Sequence, residues 1–286
     1  MKAVLDVTIP LITGLLLMAV GLDLTVRDLA GVRGQARIVA IGLLAPVAAL
    51  PFVALATIAV FQPPPVTASS LLLLAACPIG GISNTYSYLA RASTALSLTL
   101  TGLSCLFATV TIPLLTRLFE VTIGRPLGFQ VPPAVLVLQV VVMLGVPVAL
   151  GMVCRRVWPR FAEERRHETQ AAGFVLLALL IVFVVWSQAD VFLRGLPRMV
   201  PLAATFITCS FAVGWSTGLI GRASRRDRFT LAAEFSTRNV AVATAIAVTL
   251  LHRPEFAVFA TTYFITEVPL MLIAIRVFRA TTTGQA

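Results

Sequence analysis

Nine apolar runs of about 20 residues follow one another along the chain, with short charged loops between them. About 20 apolar residues are what an α-helix needs to cross the hydrocarbon core of a bilayer. Inside lipid every backbone polar group must be satisfied by the protein itself, so such runs fold as helices. The runs lie near residues 7–25, 37–61, 67–91, 94–118, 131–154, 171–189, 199–220, 229–251 and 256–277. The sequence therefore predicts an all-α polytopic membrane protein with nine transmembrane helices.

The charged residues are few and lie mainly in the loops between the apolar runs. They make up 12% of the 286 residues, about half the share that is found in soluble domains. Because the net charge of +10 comes from short loops, we expect membrane lipids as a partner and no nucleic acid. If the N-terminus lies outside, most of the 22 Lys and Arg residues fall on the cytoplasmic side, as the positive-inside rule requires. The sequence therefore predicts an external N-terminus and a cytoplasmic C-terminus.

Two of the apolar runs are interrupted by polar residues, and the two interruptions are alike. The first reads Cys-Pro-Ile-Gly-Gly-Ile-Ser-Asn over residues 77–84, and the second reads Glu-Phe-Ser-Thr-Arg-Asn over residues 234–239. Pro78 removes a backbone donor, and Gly80 and Gly81 weaken a helix and allow another backbone to come close. Broken apolar segments in the two halves of a chain indicate the binding site of a secondary transporter. The pattern predicts inverted repeats and a transport function.

Residues with side-chain oxygens accompany the first interruption. Asn84 ends it, and Ser97 and Thr101 lie four apart on the next run, which places them on one helix face. With Glu234 supplying the charge, these oxygens could bind a small hard cation. Two structural alternatives remain: the hydroxyls can bond to the preceding helical turn, and Asn84 can bond between helices that pack at the glycines.

Three charged residues, Glu234, Arg238 and Glu267, fall inside the predicted spans and away from their ends. Such residues cost several kcal/mol in a bilayer unless they pair or serve a function. Glu234 and Arg238 are spaced i,i+4 and would pair on an intact helix. The formal charge of the three is −1, which a bound cation or a proton would neutralise. A purely structural cluster is the alternative, although buried ion pairs contribute little to stability.

At these residues the sequence resembles the bile acid:sodium symporter family. The first broken helix of that family carries a motif like Cys-Pro-Gly-Gly-x-x-Ser-Asn and then Tyr-Leu-Ala, matched here by residues 77–84 and 88–90. The Ala-Leu-Ser-x-x-x-Thr of the next helix is matched by residues 95–101. The second broken helix, Glu-x-Gly-x-Gln-Asn in the family, is matched by residues 234–239, and an early Gly-Leu-x-Leu by residues 21–24.

The resemblance implies a core domain with two crossing discontinuous helices and a panel domain that moves against it. The panel would comprise about residues 1–36 and 125–195, and the core about residues 37–124 and 196–280. The resemblance also implies a secondary transporter of a small amphipathic organic anion, coupled to sodium, in the bacterial plasma membrane. We expect no enzymatic activity, since the spans contain no Ser/His/Asp set and no paired aspartates.

The resemblance further implies two sodium sites, of which only the first keeps its side-chain ligands. The first site would map to Ser83, Asn84, Ser97, Thr101 and Glu234. The second site, beside Glu234, has two glutamines in the family, and the corresponding positions here are Pro46 and Arg238. We hypothesise that the Arg238 guanidinium replaces the second sodium, so that coupling involves one sodium ion or none. No metal other than sodium is expected.

The expected substrate-binding residues are Asn84, Asn239, Arg238, Gly81, Phe264 and Glu267. Because Phe264 and Ile265 stand where the family has polar residues, the cargo is expected to differ from that of other members. Arg238 could alternatively clamp a substrate carboxylate, since a guanidinium matches the geometry of that group. Two further functions stay open: a sodium-independent or proton-coupled carrier, with Glu234 or Glu267 carrying the proton, and a membrane receptor that binds without transporting.

Overall fold

The computed structural model of the protein describes residues 2–23, 35–123 and 133–283. The helices of the first half are α1 (Lys2–Asp23), α2 (Ala36–Phe61), α3 (Pro65–Ala76), α4 (Ile82–Leu89) and α5 (Thr94–Ile123). Those of the second half are α6 (Pro133–Val140), α7 (Val146–Val157), α8 (Pro159–Glu164), α9 (Arg166–Ser187), α10 (Ala189–Ile220), α11 (Arg225–Ser236), α12 (Val240–Ala245) and α13 (Glu255–Thr283). Two π-helical turns, Val141–Gly145 and Ile246–Leu250, join α6 to α7 and extend α12.

Five helical stretches of the described chain are long and apolar enough to cross a membrane. They are Ala36–Phe61, Thr94–Phe119, Val137–Val157, Ala189–Ile220 and Glu255–Thr281. Four shorter apolar helices, Leu11–Leu22, Pro65–Ala76, Ala171–Ser187 and Val240–Leu250, fall in the other predicted spans. The prediction of an all-helical membrane protein is confirmed, and the count of nine spans stays a prediction.

The helical conformation ends at both polar interruptions. After α3, Cys77 is extended (φ −66°, ψ 154°), as expected for a residue that precedes a proline. After α11, Thr237 is extended (φ −108°, ψ 110°). Helix α12 then begins behind Asn239, whose side-chain oxygen accepts a hydrogen bond of 3.1 Å from the backbone N–H of Val242. An asparagine in this role satisfies one of the free donors at a helix start.

Close backbone contacts hold two groups of helices together. Helix α1 packs along α7, where Gly21 and Gly151 meet without side chains and leave no room for a Cβ atom on either. Helix α9 also packs on α1. In the other group α10 packs along α11, α13 and α2, and Gly214 of α10 lies against the main chain of Leu231.

The segment from Phe229 to Val248 is buried throughout. It includes Glu234, Arg238 and Asn239, so the most enclosed part of the molecule carries both signs of charge. Buried charges are tolerated only where hydrogen bonds or opposite charges compensate the lost hydration. The partners of these residues therefore indicate what the site is built to hold.

Candidate functional site

The two interrupted helices cross at their extended segments and pair through the main chain. The N–H of Gly80 donates to the carbonyl of Thr237 (3.2 Å), and the N–H of Asn239 donates to the carbonyl of Pro78 (2.9 Å). Together these bonds make an antiparallel bridge between Ile79 and Arg238. Backbone groups that leave a helix at membrane depth must find partners inside the protein. Each break supplies the partners of the other.

Glycine is required at one of the two glycine positions of the first break. A Cβ atom on Gly80 would lie 2.9 Å from the carbonyl oxygen of Arg238 and 3.3 Å from Cγ2 of Thr237. A Cβ atom on Gly81 would meet nothing closer than Cγ2 of Val20, at 3.7 Å. Gly80 therefore permits the close crossing, whereas Gly81 leaves open space beside it.

The five residues predicted for the first sodium site lie together, on α4, α5 and α11. The Ser97 hydroxyl donates to Oδ1 of Asn84 (2.8 Å) and also contacts the Glu234 carboxylate. The Thr101 hydroxyl lies 3.3 Å from Oδ1 of Asn84 and 3.3 Å from Oε2 of Glu234. Ser83 completes the set, 3.3 Å from the Thr101 hydroxyl.

This oxygen cluster has fewer protons than oxygen–oxygen contacts. Five such contacts join the five side chains, but only three hydroxyl groups can place a proton in them. Four of the residues, Ser83, Ser97, Thr101 and Glu234, are at most 1% exposed, so water does not supply the rest. A hard cation prefers oxygen ligands of this kind. The charge of such a cation would compensate the charge of the Glu234 carboxylate. It would also attract the oxygen atoms that face each other without a proton between them.

Arg238 bonds to the ends of the two half-helices and not to a carboxylate. Its Nη1 donates to the carbonyl of Cys77 (3.2 Å), at the end of α3. Its Nη2 donates to the carbonyl of Glu234, in the last turn of α11. A helix C-terminus carries a partial negative charge, so the guanidinium stabilises both ends. Because α11 ends before Arg238, the i,i+4 pair expected on an intact helix is not formed.

The positions predicted for the altered second sodium site are also brought together. Pro46 and Arg238 line one small cavity of about 30 Å³, and Ala76, Ile79 and Ser104 are among its other walls. The cavity is about the size that one water molecule needs. Arg238 therefore donates to the two carbonyls described above. It also lines the cavity at Pro46, where the resembling family has a glutamine.

A larger cavity of about 120 Å³ lies between the crossing and the helices α1 and α9. Its polar wall contains Asn84, Arg238 and Asn239, and Gly81 lies beside them. Its apolar wall contains Leu16, Ala19, Val20, Leu177, Val240, Ala241 and Phe264. Five of the six predicted substrate residues therefore line one cavity. Glu267 does not.

Glu267 lies fully buried on α13, and neither of its carboxylate oxygens has a hydrogen-bond partner. The hydroxyls of Tyr86 and Thr237 are its polar neighbours, and both are buried and unpartnered as well. Neither Tyr86 nor Thr237 was among the predicted site residues. Thr237 belongs to the second polar segment, which was a usable signal, but nothing near Tyr86 in the sequence indicated its neighbour.

Comparisons with known proteins identify relatives of one class. The model of the Sodium Bile acid symporter family matches residues 10–194. A probable sodium/metabolite cotransporter BASS2 of Oryza sativa is 28% identical over 71% of the chain and 47% of its own length. The sodium-dependent organic anion transporter of Bos taurus is 24% identical over 83% of the chain and 62% of its own length.

A bacterial relative, the sodium-dependent transporter YocS of Bacillus subtilis, is 25% identical over 65% of the chain and 57% of its own length. The chain thus spans about half the length of the curated relatives that it matches. The names of the family and of these relatives describe transporters and not enzymes. With its apolar helices, the chain is an integral membrane protein.

Proposed function

Because the chain belongs to the Sodium Bile acid symporter family, we propose that it is a secondary transporter that moves a small amphipathic organic anion together with sodium. The observation that carries the proposal is the buried oxygen cluster around Glu234, next to a cavity that has one polar and one apolar wall. Two of the relatives are named as sodium-dependent carriers, one of them for organic anions.

Sodium would bind within the cluster of Ser83, Asn84, Ser97, Thr101 and Glu234. A bound sodium ion would contact the oxygens of the cluster, and these metal–oxygen contacts would replace the oxygen–oxygen contacts between the side chains. Each hydroxyl proton would then point away from the ion. Asn84 also faces the larger cavity, so one side chain would contact both the ion and the cargo. Binding of the ion or of the cargo would therefore order Asn84, which the other ligand also contacts. Such a shared contact couples the two binding events.

The organic anion would occupy the larger cavity with its charged group at the polar wall. Arg238 and Asn239 lie on that wall, and the start of α12 contributes a partial positive charge. The apolar body of the anion would lie against Leu177 and Phe264 on the other wall. This division of polar and apolar lining favours an amphipathic anion over a small sugar or amino acid.

Arg238 would act as a tethered substitute for a second sodium ion. Its guanidinium already bonds to the carbonyls of Cys77 and Glu234, and half-helix ends with free carbonyls are where transporters bind cations. Coupling would then involve a single sodium ion. In this reading the same side chain faces the cargo on one side and the helix ends on the other.

The arrangement of the helices supports the proposed panel and core. Helices α7 and α9 both pack on α1, and α10 packs with α2, α11 and α13. The larger cavity lies between the two groups, so a movement of one group against the other would open it to alternate sides. We further propose nine spans in two inverted repeats, with an external N-terminus and a cytoplasmic C-terminus in the bacterial plasma membrane.

Calorimetric titration of the purified protein with sodium, at constant ionic strength, tests the ion site. We expect saturable binding of one sodium ion. Glu234→Gln removes the charged ligand and should weaken this binding at least about 100-fold, or about 2.8 kcal/mol. Glu164→Gln, at an exposed carboxylate, is the matched control and should change nothing. Absence of sodium binding to the native protein would refute symport with sodium and leave a sodium-independent carrier.

The role of Arg238 is tested in the same titration. Arg238→Gln frees the carbonyls of Cys77 and Glu234 and supplies an amide oxygen, so the number of bound sodium ions should rise from one to two. An unchanged number would contradict the tethered-charge proposal. Uptake of a bile acid into proteoliposomes, with and without a sodium gradient, then separates a transporter from a receptor that only binds.

A further inference from the structure

The surroundings of Glu267 form a second polar site, apart from the oxygen cluster around Glu234. Four buried oxygens lack partners there: the two carboxylate oxygens, the Tyr86 hydroxyl and the Thr237 hydroxyl. All three residues are at most 2% exposed. An unpartnered buried polar atom costs about 1–3 kcal/mol. Four in one place indicate that the protein's own side chains do not fully compensate the buried carboxylate.

Among the described residues, three charged or titratable groups act on Glu267. Tyr86 reaches it from α4, Arg238 from the second break, and Tyr263 from the preceding turn of α13. The Tyr263 hydroxyl already donates to the carbonyl of Ser236, and Arg238 donates to the two helix ends. Of the described residues, none forms an ion pair with Glu267 within 4.0 Å, and its nearest polar neighbours are the neutral hydroxyls of Tyr86 and Thr237.

The charges of the buried region also require one more cation than the Glu234 site can hold. Glu234, Glu267 and Arg238 sum to −1, and one sodium ion at Glu234 brings the sum to zero. A monovalent organic anion beside Arg238 returns it to −1. Because an uncompensated charge in a region of low dielectric constant is costly, the loaded carrier needs a second positive charge.

We propose that Glu267 is this second cation site and that its cation is a proton, taken up when the organic anion binds. This inference rests on the proposed transport function and adds to it a second coupled ion. In the binding step one O–H bond forms on the Glu267 carboxylate, and a hydronium ion that has given up its proton leaves as water. Release on the other side of the membrane reverses the step.

The packing around Glu267 favours a proton over a second sodium ion. Glu267 has the hydroxyls of Tyr86 and Thr237 as its polar neighbours, fewer oxygen ligands than the cluster around Glu234 offers, whereas an oxygen-coordinated metal ion typically takes about six ligands. A proton adds no volume. It also converts an acceptor-only carboxylate into a group with one O–H donor, which can bond to the hydroxyl of Tyr86 or Thr237 while the other hydroxyl donates to the carbonyl oxygen.

Infrared difference spectroscopy of the purified full chain, recorded at constant pH and constant sodium concentration before and after a bile acid binds, tests the proposal, because exposed carboxyl groups keep their protonation state and cancel. The native protein should show a carboxylic-acid carbonyl band that is lost in Glu267→Gln and kept in Glu234→Gln. The two variants carry the same change at two fully buried carboxylates, so each controls for the other. A band that survives in Glu267→Gln, or a native protein without one, would overturn the proposal.

A second pair of variants keeps the test decisive if Glu267→Gln does not fold. Tyr86→Phe removes one hydrogen-bond partner of the protonated carboxyl and should shift the band without abolishing it. Tyr88→Phe, at a tyrosine that is 71% exposed, should leave the band in place. Identical spectra for Tyr86→Phe and Tyr88→Phe would contradict the assignment. Sodium binding to Glu267→Gln, measured separately, shows whether the Glu234 site and the proposed symport stand independently.

Discussion

The crossing of the two broken helices makes a sharp prediction for Gly80. In Gly80→Ala the added methyl group would lie 2.9 Å from the carbonyl oxygen of Arg238 and 3.2 Å from its carbonyl carbon. Both atoms belong to the main chain, which cannot rotate away as a flexible side chain would. The two extended segments must therefore move apart by several tenths of an ångström.

The cost follows from the contacts that this movement disturbs. Two backbone hydrogen bonds, of 3.2 Å and 2.9 Å, hold the crossing together, and each contributes about 1 kcal/mol net. Overpacking of a dense interior adds about 1–3 kcal/mol. With both hydrogen bonds lost, we therefore expect Gly80→Ala to lower the free energy of unfolding by about 3–5 kcal/mol. The oxygen cluster should be damaged too, because α4 begins two residues later and carries Ser83 and Asn84.

The neighbouring glycine provides the control. In Gly81→Ala the new methyl group meets only Cγ2 of Val20, at an ordinary contact distance of 3.7 Å. We expect a change within about 0.5 kcal/mol. The measurement is the unfolding midpoint of each purified variant in detergent, combined with sodium binding by calorimetry. Equal midpoints and equal sodium binding for the two alanine variants would show that the crossing does not depend on the close approach at Gly80.

Two further predictions concern the cavity wall and the support of α11. Phe264→Ala removes an apolar wall of the larger cavity and should weaken binding of a bile acid about tenfold or more, while sodium binding stays unchanged; equal losses of both would contradict a wall role. Thr230→Val leaves the backbone N–H of Ser93 without its 3.1 Å acceptor and should lower the free energy of unfolding by about 1–3 kcal/mol. Thr262→Val, whose hydroxyl bonds only within its own helix, should cost clearly less when both are unfolded by heat.

Most of the fold could be predicted from the sequence because apolar run length and backbone hydrogen bonding leave a membrane protein few choices. The predicted run at residues 37–61 is the helix Ala36–Phe61, and the run at residues 171–189 is largely the helix Arg166–Ser187. The two interruptions were also predictable, since proline and glycine weaken helices locally. The early motif at residues 21–24 lies partly outside the described residues.

The side-chain geometry of the site was predictable only in part. The spacing of Ser97 and Thr101 places both on one face of α5, and Glu234 does meet them. The partners of Arg238 could not be predicted, because they are main-chain carbonyls that become available only where α3 and α11 end. The two hydroxyl neighbours of Glu267, Tyr86 and Thr237, are distant from it in the sequence, and their proximity follows from the crossing alone.

The family match ends at residue 194 and so does not reach the second break. This is the part of the chain where Arg238 and Glu267 lie. The two residues have opposite charges: Arg238 stands where the family motif has a glutamine, and Glu267 lies outside the motif. Their proposed roles are complementary: Arg238 would take the place of a second sodium ion, and Glu267 would bind a proton.

The burial of α11 has a consequence for how the protein is assembled. Helix α11 carries the fully buried Glu234 near its C-terminal end, and it is not among the apolar helices of the described chain. Charged residues oppose the insertion of an isolated helix into lipid. During synthesis α11 can therefore enter the membrane only against a surface that is already in place. Helix α10 precedes α11 in the chain and packs along it, so it can provide that surface. We therefore expect α10 to insert before α11.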